Sequence, residues 1–453
     1  MKQKKLWQKS VRSDATMQAL CTANDPAIDT QLVWFDCLGS YAQALMLKKM
    51  GVYDAAELKR VQLELKRIAK LSVAGKLAVP AELEDSHTTI ESELTKKLGA
   101  SGKKIHTGRS RNDQSALMMR LFLRRSLVEI TSSVLPLLKS IEKFYQKQGA
   151  ILIPGYTHMQ PAMPASVGMW VHSVYEGLLR FVKQSLQYDQ LLNECPLGSG
   201  AGFGSSFDLD RKLVARTLGF ERVQRSFIDV NNSRGRFDEG LLQVLSGLAF
   251  VAEKVACDLM LFLTKEFSLV RLSDRLKTGS SIMPQKNNPD LVELLRARAA
   301  VLRSVQLEES FLISKLPSSY HRDLQFSKEP ALRGVRTAKE IILTLQLLFD
   351  NISFDSEQAK KLLYPELFAT YEANRLVEQG LPFRDAYQKV ASLLGQNQLQ
   401  VEDYGKELRS PLKQTKQGFY AALREGQQLG KQLAKLALRE RACERLIGSA
   451  PRA

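Results

Sequence analysis

Residues 279–290 (GSSIMPQKNNPD) gather serines, a lysine and asparagines immediately ahead of an apolar, helix-like run. The glycine and hydroxyl side chains at the start favour a mobile loop. At the end, Asn288 is a good helix N-cap, Pro289 fits a first helical turn and Asp290 complements the helix dipole. Lys286 and a helix N-terminus then supply the positive potential that a carboxylate, or a carbanion spreading onto a carboxylate, requires. An ordinary Gly-Ser loop before a helix is the alternative.

Further segments rich in polar side chains adjoin predicted helices: residues 84–91, 103–114, 154–161 and 317–329. Residues 103–114 (KKIHTGRSRNDQ) pack cations, hydroxyls and amides around a glycine, which suits the bidentate binding of carboxylates. His158 stands next to Thr157 and close to Gln160, which can orient an imidazole for acid–base work. For a lone histidine in a polar segment, His158 or His87, a structural role is the alternative.

Apolar periodicity predicts long helices that position these segments. Seams with spacings of three and four residues run from Val167 to Leu192, from Leu241 to Phe262 and from Leu291 to Val305. Helices are also predicted from Leu32 to Met50, from Ala55 to Leu71 and from about Gln114 to Lys147, the last kinked or divided by Pro136. Strand signals are weak. Such seams indicate helices packed at shallow angles, either within one chain or between subunits.

The composition is that of a globular chain with ample material for a core. Of 453 residues, 44% are hydrophobic and 25% are charged. No apolar run reaches the length of a membrane span, and the basic start lacks an apolar signal core, so we predict a cytoplasmic protein without a membrane partner. The five scattered cysteines show no C-x-x-C spacing, which predicts reduced thiols and no metal site.

The net charge of +17 is spread through helical segments and interleaved with Glu, so a solvated surface that steers anionic substrates is favoured over nucleic-acid binding. The glycine-rich residues 196–204 do not fit the G-x-G-x-x-G spacing of a dinucleotide site and are interpreted as a close-approach loop between helices. From Asp355 onward, shorter helical pieces broken by Gly and Pro indicate a small third domain.

Residues 279–290 resemble the signature of the fumarase/aspartase superfamily, whose members break a C–N or C–O bond by β-elimination and release fumarate. Residues 103–114, 154–160 and 196–200, together with Leu6 and Trp7, are similar to blocks of the argininosuccinate lyase family within it. The resemblance implies an all-α fold of three domains (1–108, 109–354 and 355–453), with a central long-helix bundle that forms the core of a homotetramer. It also implies active sites shared between three subunits, and neither a cofactor nor a metal.

The resemblance further implies a role for particular residues. Ser280 is the expected base, His158 the acid that helps protonate the departing nitrogen, Glu293 the residue that orients His158, and Lys286 the cation that stabilises an aci-carboxylate intermediate. The expected substrate-binding or supporting residues are Asp25, His87, Ser110, Arg111, Asn112, Thr157, Ser281, Asn288, Tyr320, Gln325 and Lys328. A serine can act as a base only if positive surroundings stabilise its alkoxide and water is excluded, which is a reason for a loop that opens and closes.

The sequence departs from the family pattern at several positions. Residues 8–11 replace a Gly-Gly-Arg-Phe segment, and Asp25 stands where family members have a substrate-contacting serine. Residues 233–236 (SRGR) replace Ser-Asp-Arg-Asp. These changes concern substrate contacts and leave the expected elimination residues in place. A lyase for adenylosuccinate or another aspartate adduct, and a non-catalytic structural homologue, are the alternatives.

Overall fold

The computed structural model describes residues 14–399 and 408–451. Leu6, Trp7 and residues 8–11, on which the sequence analysis drew, lie outside the described residues.

The described chain is predominantly helical, as predicted. Its α-helices are α1 (Ala15–Thr22), α2 (Asp25–Lys49), α3 (Ala55–Val73), α4 (Ser86–Leu98), α5 (Ala100–Lys103), α6 (Arg111–Gln148), α7 (Val167–Leu192), α8 (Arg211–Thr217), α9 (Phe227–Asn232), α10 (Arg236–Phe262), α11 (Asp290–Leu312), α12 (Lys328–Asn351), α13 (Ser356–Lys361), α14 (Ala369–Glu378), α15 (Phe383–Gly395) and α16 (Arg409–Ile447). Short 3-10 helices cover Ala81–Leu83, Lys104–His106, Asp274–Leu276, Arg322–Gln325 and Pro365–Phe368.

The long helices α6, α7, α10, α11 and α12 pack side by side as a bundle. The predicted seams of α7 and α10 face its interior, since Val171, Leu178, Leu245 and Leu259 are buried. In the seam of α11, Leu295 and Leu302 are buried, but Leu294 is exposed. The expected long-helix bundle is therefore confirmed. Pro136 does not divide α6, which is continuous from Arg111 to Gln148. Pro136 lies on the exposed face, where water can bond the carbonyl that the missing proline N–H leaves free.

The flanking helices share the core of the bundle. Helix α2 packs on α3, α4 and α6, and contributes the fully buried Leu32 and Leu47. Helix α16 lies against α6 and α7, with the Phe419 ring stacked 3.8 Å from that of Tyr145. A smaller hydrophobic cluster joins α14 and α15 around Ala386. The domain limits 1–108, 109–354 and 355–453 stay a prediction.

The strands form three two-stranded sheets at the ends of the helices. Strands β1 (Leu152–Thr157) and β2 (Gln160–Ser166) are antiparallel, β3 (Glu194–Cys195) and β4 (Arg222–Val223) are parallel, and β5 (Val270–Leu272) and β6 (Ile352–Phe354) are antiparallel.

The interpretation of residues 154–161 as a polar loop is wrong, because they lie in the β1–β2 hairpin. Thr157 pairs with Gln160, so His158 and Met159 form a two-residue turn. Both turn residues have positive φ (53° and 60°), as the tight hairpin turn that matches strand twist requires. His-Met lacks the Asn-Gly or Asp-Gly signal of such turns, and this is why the sequence did not indicate the hairpin.

Candidate active site

A cavity of about 220 Å³ lies where the α1–α2 junction, the N-termini of α4, α6 and α12, and the segment that precedes α12 come together. Its lining is rich in charged and amide side chains: Thr22, Asp25, Asp29, Glu84, Asp85, His87, Arg111, Asn112, Ser115, Arg234, Tyr320, Arg322, Gln325 and Lys328. The predicted residues Asp25, His87, Arg111, Asn112, Tyr320, Gln325 and Lys328 are among them. Segments far apart in sequence thus form one polar cavity.

Lys328, at the start of α12, is held by two aspartates of α2. Its Nζ lies 2.5 Å from Oδ1 of Asp25 and 2.6 Å from Oδ1 of Asp29. Burial alone would lower the pKa of Lys328, but the two carboxylates outweigh burial and raise it. Burial raises the pKa of Asp25 to about 6 although Lys328 opposes the shift. The ammonium of Lys328 is therefore neutralised within the cavity wall.

His87 lies in the first turn of α4, next to Ser86, and faces a buried carboxylate of α2. Its Nδ1 lies 2.6 Å from Oδ2 of Asp36, which also accepts a hydrogen bond from Oγ of Ser86 at 2.9 Å. Burial would lower the pKa of His87, but Asp36 outweighs burial and raises it. An imidazolium is thereby stabilised at the cavity wall, where it can contribute positive charge toward an anionic ligand.

A capping box fixes the start of α6, where Arg111 and Asn112 enter the cavity. Ser110 is the N-cap, and its N–H donates to Oδ1 of Asp113 at 2.9 Å. The other oxygen of Asp113 accepts from the backbone N–H groups of Gly198 and Gly200 at 3.0 and 2.9 Å. Residues 196–204 therefore form a close-approach loop, as interpreted from the sequence, and that loop holds the N-terminus of α6.

Arg111 extends from this N-terminus toward α4. Its Nη1 lies 2.9 Å from Oδ2 of Asp85, and its Nη2 donates to Oγ1 of Thr88. Because Asp85 is also the N-cap of α4, the ion pair joins the starts of the two helices that carry His87 and Asn112.

Residues 279–290 form a separate, solvent-facing loop. Its ends pair through a bridge between Thr278 and Asn288, and Oγ of Ser280 accepts from the N–H of Met283 at 3.2 Å. Residues 281–287 are exposed. The predicted N-cap role of Asn288 is wrong: α11 begins at Asp290 with Pro289 in the N-cap position, because the backbone of Asn288 pairs with Thr278.

The remaining predicted residues do not line the cavity of a single chain. Ser280, Ser281, Lys286 and Asn288 belong to the exposed loop, Thr157 and His158 to the tip of the β1–β2 hairpin, Glu293 to the exposed side of α11, and Ser110 to the α6 cap. Within the described ranges no hydrogen bond joins His158 to Glu293. One chain thus brings together seven of the expected binding or supporting residues without the expected acid–base residues.

Asp29 of the cavity lining and Asp36, the buried partner of His87, were missed from the sequence. Asp29 lies one helical turn after Asp25, so an i, i+4 pair of acids on α2 was a usable signal. Asp36 follows the apolar run Leu32–Phe35 and is 3% exposed, and a charged residue at a core position needs a buried partner. Arg234 was indicated only through the departure from the family pattern at residues 233–236, and no local signal placed it in the cavity.

Two properties of the described residues bear on the predicted absences. No group of three or more His, Cys, Asp or Glu side chains in residues 14–399 and 408–451 is arranged to hold a metal ion. Over the same ranges, each helix is too short or too polar to cross a membrane.

Comparisons with known proteins define the class to which this fold and site belong. A family model described as a lyase matches residues 3–303. The structure is similar to EDDS lyase in complex with formate, with a TM-score of 0.78 and 18% identity over 96% of this chain and 97% of that one. It is also similar to a class II fumarase from Schistosoma mansoni, with a TM-score of 0.69 and 15% identity over 88% and 92%.

Similarity in sequence is higher among curated argininosuccinate lyases. The enzyme of Thermotoga neapolitana is 37% identical over 391 residues, which cover 86% of this chain and 98% of that protein. The enzyme of Sorangium cellulosum is 38% identical over 388 residues, with coverages of 86% and 90%. The chain belongs to the lyase family and, within it, to the argininosuccinate lyases.

Proposed function

We propose that the chain cleaves L-argininosuccinate to L-arginine and fumarate by β-elimination. The observation that carries this proposal is the convergence of expected binding residues from separate segments on one cavity, in a chain of the argininosuccinate lyase family. The cavity wall carries acids as well as the cations His87, Arg111, Arg234 and Arg322, which suits a substrate that has both carboxylates and cationic groups. In this role the reaction is the last step of arginine biosynthesis, and neither a metal nor an organic cofactor takes part.

The proposed chemistry needs a base and a stabiliser of charge. A proton beside a carboxylate is weakly acidic, so its removal demands strong stabilisation of the aci-carboxylate that forms. Ser280 removes this proton from Cβ, and Lys286 with the N-terminus of α11 stabilises the intermediate. His158, oriented by Glu293, then helps protonate the departing nitrogen. Closure of the exposed loop over the substrate excludes water, so that the positive surroundings can stabilise the alkoxide of Ser280.

In the same proposal, the cavity holds the substrate before this chemistry begins. The side chains with this role are Asp25, Ser110, Arg111, Asn112, Thr157, Ser281, Asn288, Tyr320, Gln325 and Lys328, with His87 in support. The amide and cationic groups among them match the carboxylates and the guanidine of L-argininosuccinate.

A complete site in this proposal requires neighbouring subunits, since the loop and the hairpin tip do not line the cavity of their own chain. We propose a cytoplasmic homotetramer in which three subunits form each active site, with no nucleic-acid or membrane partner. Large apolar side chains that are exposed on the long helices support an assembly, because monomeric proteins rarely expose large apolar patches to water. These side chains are Phe250 (57% exposed), Leu294 (51%), Leu307 (56%), Phe311 (77%) and Leu343 (67%). The three domains remain those proposed from the sequence, 1–108, 109–354 and 355–453.

Release of fumarate tests the activity directly. Purified protein is mixed with L-argininosuccinate, adenylosuccinate or aspartate, and the absorbance of fumarate is followed. A rise with argininosuccinate is expected. A rise only with adenylosuccinate or aspartate would show that the protein catalyses the elimination on a different substrate. No rise with any substrate would favour a structural role.

Two sets of variants test the site. Ser280→Ala should lower turnover by several orders of magnitude, on the order of the loss when a catalytic nucleophile is removed, with the oligomer and L-arginine binding intact. His158→Asn should slow turnover less, and Ser392→Ala, an exposed serine of α15, serves as the control. Co-expression of Ser280→Ala with Asn112→Ala should restore part of the activity, because mixed oligomers then contain some sites without either change. Absence of any restoration would argue against sites shared between subunits.

A further inference from the structure

The charges around Lys328 leave one carboxylate oxygen of α2 without a partner. Asp29 is fully engaged, since Oδ1 contacts Lys328 and Oδ2 accepts from the N–H of Ser86 at 3.0 Å. Asp25 contacts Lys328 through Oδ1 at 2.5 Å, and Oδ2 of Asp25 has no hydrogen-bond partner among the described residues. Two carboxylates face one ammonium, so this cluster carries a net negative charge on the cavity wall. It is suited to a cationic group of a ligand, and Lys328 is not a free cation for an anionic one.

Arg234 presents the opposite charge to the same cavity. Its Nη2 donates to Oγ of Ser115 at 3.0 Å, and its guanidinium lies 4.8 Å from the centre of the Tyr320 ring. No carboxylate of the described residues forms an ion pair with Arg234 within 4.0 Å. A guanidinium has five N–H donors, so donors of Arg234 beyond those that bind Ser115 and Tyr320 can bind a carboxylate.

The other cavity arginines also contact the protein. Arg111 is paired with Asp85 at 2.9 Å, and Nη2 of Arg322 donates to the carbonyl of Cys21 at 2.9 Å. The turn between α9 and α10 holds Arg234 in place: Ser233 accepts from Nε2 of Gln224 at 2.9 Å, and Gly235 has a φ of +74°, which favours glycine. Arg234 is therefore a fixed cation at the end of a polar cavity.

We propose that Asp25 and Arg234 form a clamp for the free amino-acid end of the substrate, with Asp25 accepting from its α-ammonium and Arg234 donating to its α-carboxylate. This inference rests on the proposed function and deepens it, because it restricts the substrate to a fumarate adduct of an α-amino acid in which both groups are free. The two positions are among those at which the sequence departs from the family pattern, so the clamp is a property of this chain. A ligand without one of these groups leaves a charge of the clamp unpaired, and the site rejects it for that reason.

Binding of product analogues tests the clamp without requiring turnover. Isothermal titration of the intact oligomer compares L-arginine with agmatine, which lacks the α-carboxylate, and with δ-guanidinovalerate, which lacks the α-amino group. We expect L-arginine to bind on the order of 10- to 100-fold more tightly than either analogue, the range of a charged hydrogen bond. Arg234→Met should abolish the preference over agmatine alone, and Asp25→Asn the preference over δ-guanidinovalerate alone. Arg236→Met, an exposed arginine two positions away, is the matched control.

Each result of these experiments either supports or overturns the clamp or the proposed activity. Equal binding of L-arginine and agmatine by the wild type, no binding of L-arginine, or a uniform weakening of all ligands in both variants would overturn the clamp. Arg234→Lys and Asp25→Ser, compared by circular dichroism and sedimentation, provide folded variants if the first pair does not fold, and Arg234→Lys should restore part of the carboxylate preference. Selective binding of L-arginine without fumarate release would overturn the proposed activity and keep the clamp. Equal rates of elimination from argininosuccinate and from the agmatine–fumarate adduct would support the proposed activity and overturn the clamp.

Discussion

Nδ1 of His87 lies 2.6 Å from Oδ2 of Asp36, and both side chains are almost completely buried. The carboxylate raises the pKa of the imidazole, and the imidazolium in turn lowers the pKa of Asp36 despite burial. The pair therefore places a positive charge at the cavity wall that an exposed histidine would not provide.

Asp36→Asn should lower the pKa of His87, because burial then acts without a compensating carboxylate. The ion pair stabilises fully between the unfolded pKa values, 3.8 for Asp36 and 6.5 for His87. Its stabilisation is lost as pH rises through the raised pKa of His87 or falls through the lowered pKa of Asp36. Within that window the substitution should cost about 3–5 kcal/mol, the range for removing one member of a buried pair.

The pKa of His87 can be followed by NMR of ring-labelled histidine, with His87→Gln to assign the signal. Chemical denaturation gives the loss in stability, and Asp350→Asn, an exposed aspartate of α12, is the control. An unchanged His87 titration in Asp36→Asn would contradict the assignment of Asp36 as the cause.

Glu309 of α11 predicts a stability that falls as pH rises from 4.5 toward about 10. Its side chain is fully buried, neither carboxyl oxygen has a hydrogen-bond partner among the described residues, and burial with the nearby charge of Asp238 raises its pKa to about 10. A raised carboxyl pKa contributes stability at low pH that is lost as pH rises from the unfolded value toward the folded one. The slope for one such group is about 1.4 kcal/mol per pH unit.

Glu309→Gln should remove most of this slope, because the amide keeps the shape and does not ionise. Urea midpoints between about pH 6 and pH 8 measure it. Glu308→Gln, the adjacent and half-exposed glutamate, should keep the wild-type slope. Parallel slopes for wild type and Glu309→Gln would show that Glu309 is not the responsible group.

Gly334 of α12 packs directly against Leu242 of α10. A Cβ at this position would lie 2.2 Å from Cδ2 of Leu242, so Gly334→Ala should destabilise by about 1–3 kcal/mol through overpacking. Gly430 in α16 is the matched control, since its Cβ would meet Leu135 at an ordinary 3.7 Å. Gly430→Ala should instead stabilise by about 0.5–1 kcal/mol through helix propensity. Thermal unfolding distinguishes the two, and equal shifts of the same sign would contradict the packing argument.

Arg439 joins α16 to α7 through a two-pronged ion pair. Its Nη1 and Nη2 lie 2.8 and 2.6 Å from the two carboxylate oxygens of the buried Asp189. Arg439→Lys keeps the positive charge but loses the two parallel hydrogen bonds to Asp189, so it should lower the free energy of unfolding by about 2 kcal/mol. Arg441→Lys, on the exposed side of α16, should leave the free energy of unfolding almost unchanged. Denaturation midpoints compare them, and a neutral Arg439→Lys would show that charge alone holds the helix.

The sequence by itself determined the helices and much of the candidate site. Spacings of three and four residues define a buried stripe on any helix, so the seams of α7, α10 and α11 were readable without knowledge of their partners. Local patterns indicated the polar segments, and the family resemblance singled out Arg111, Asn112, Tyr320 and Lys328 within them, which do line one cavity.

Only the tertiary structure decided which charges meet. Lys328 pairs with Asp25 and Asp29 through contacts between segments that are distant along the chain, and the same is true of the position of Arg234. Local periodicity in the sequence contains no information about such contacts. The β1–β2 hairpin depended on positive φ at His158 and Met159, and the start of α11 on the Thr278–Asn288 pairing. Burial raised the pKa of Asp25 and of Glu309, because desolvation is a property of the packed molecule and not of the residue type.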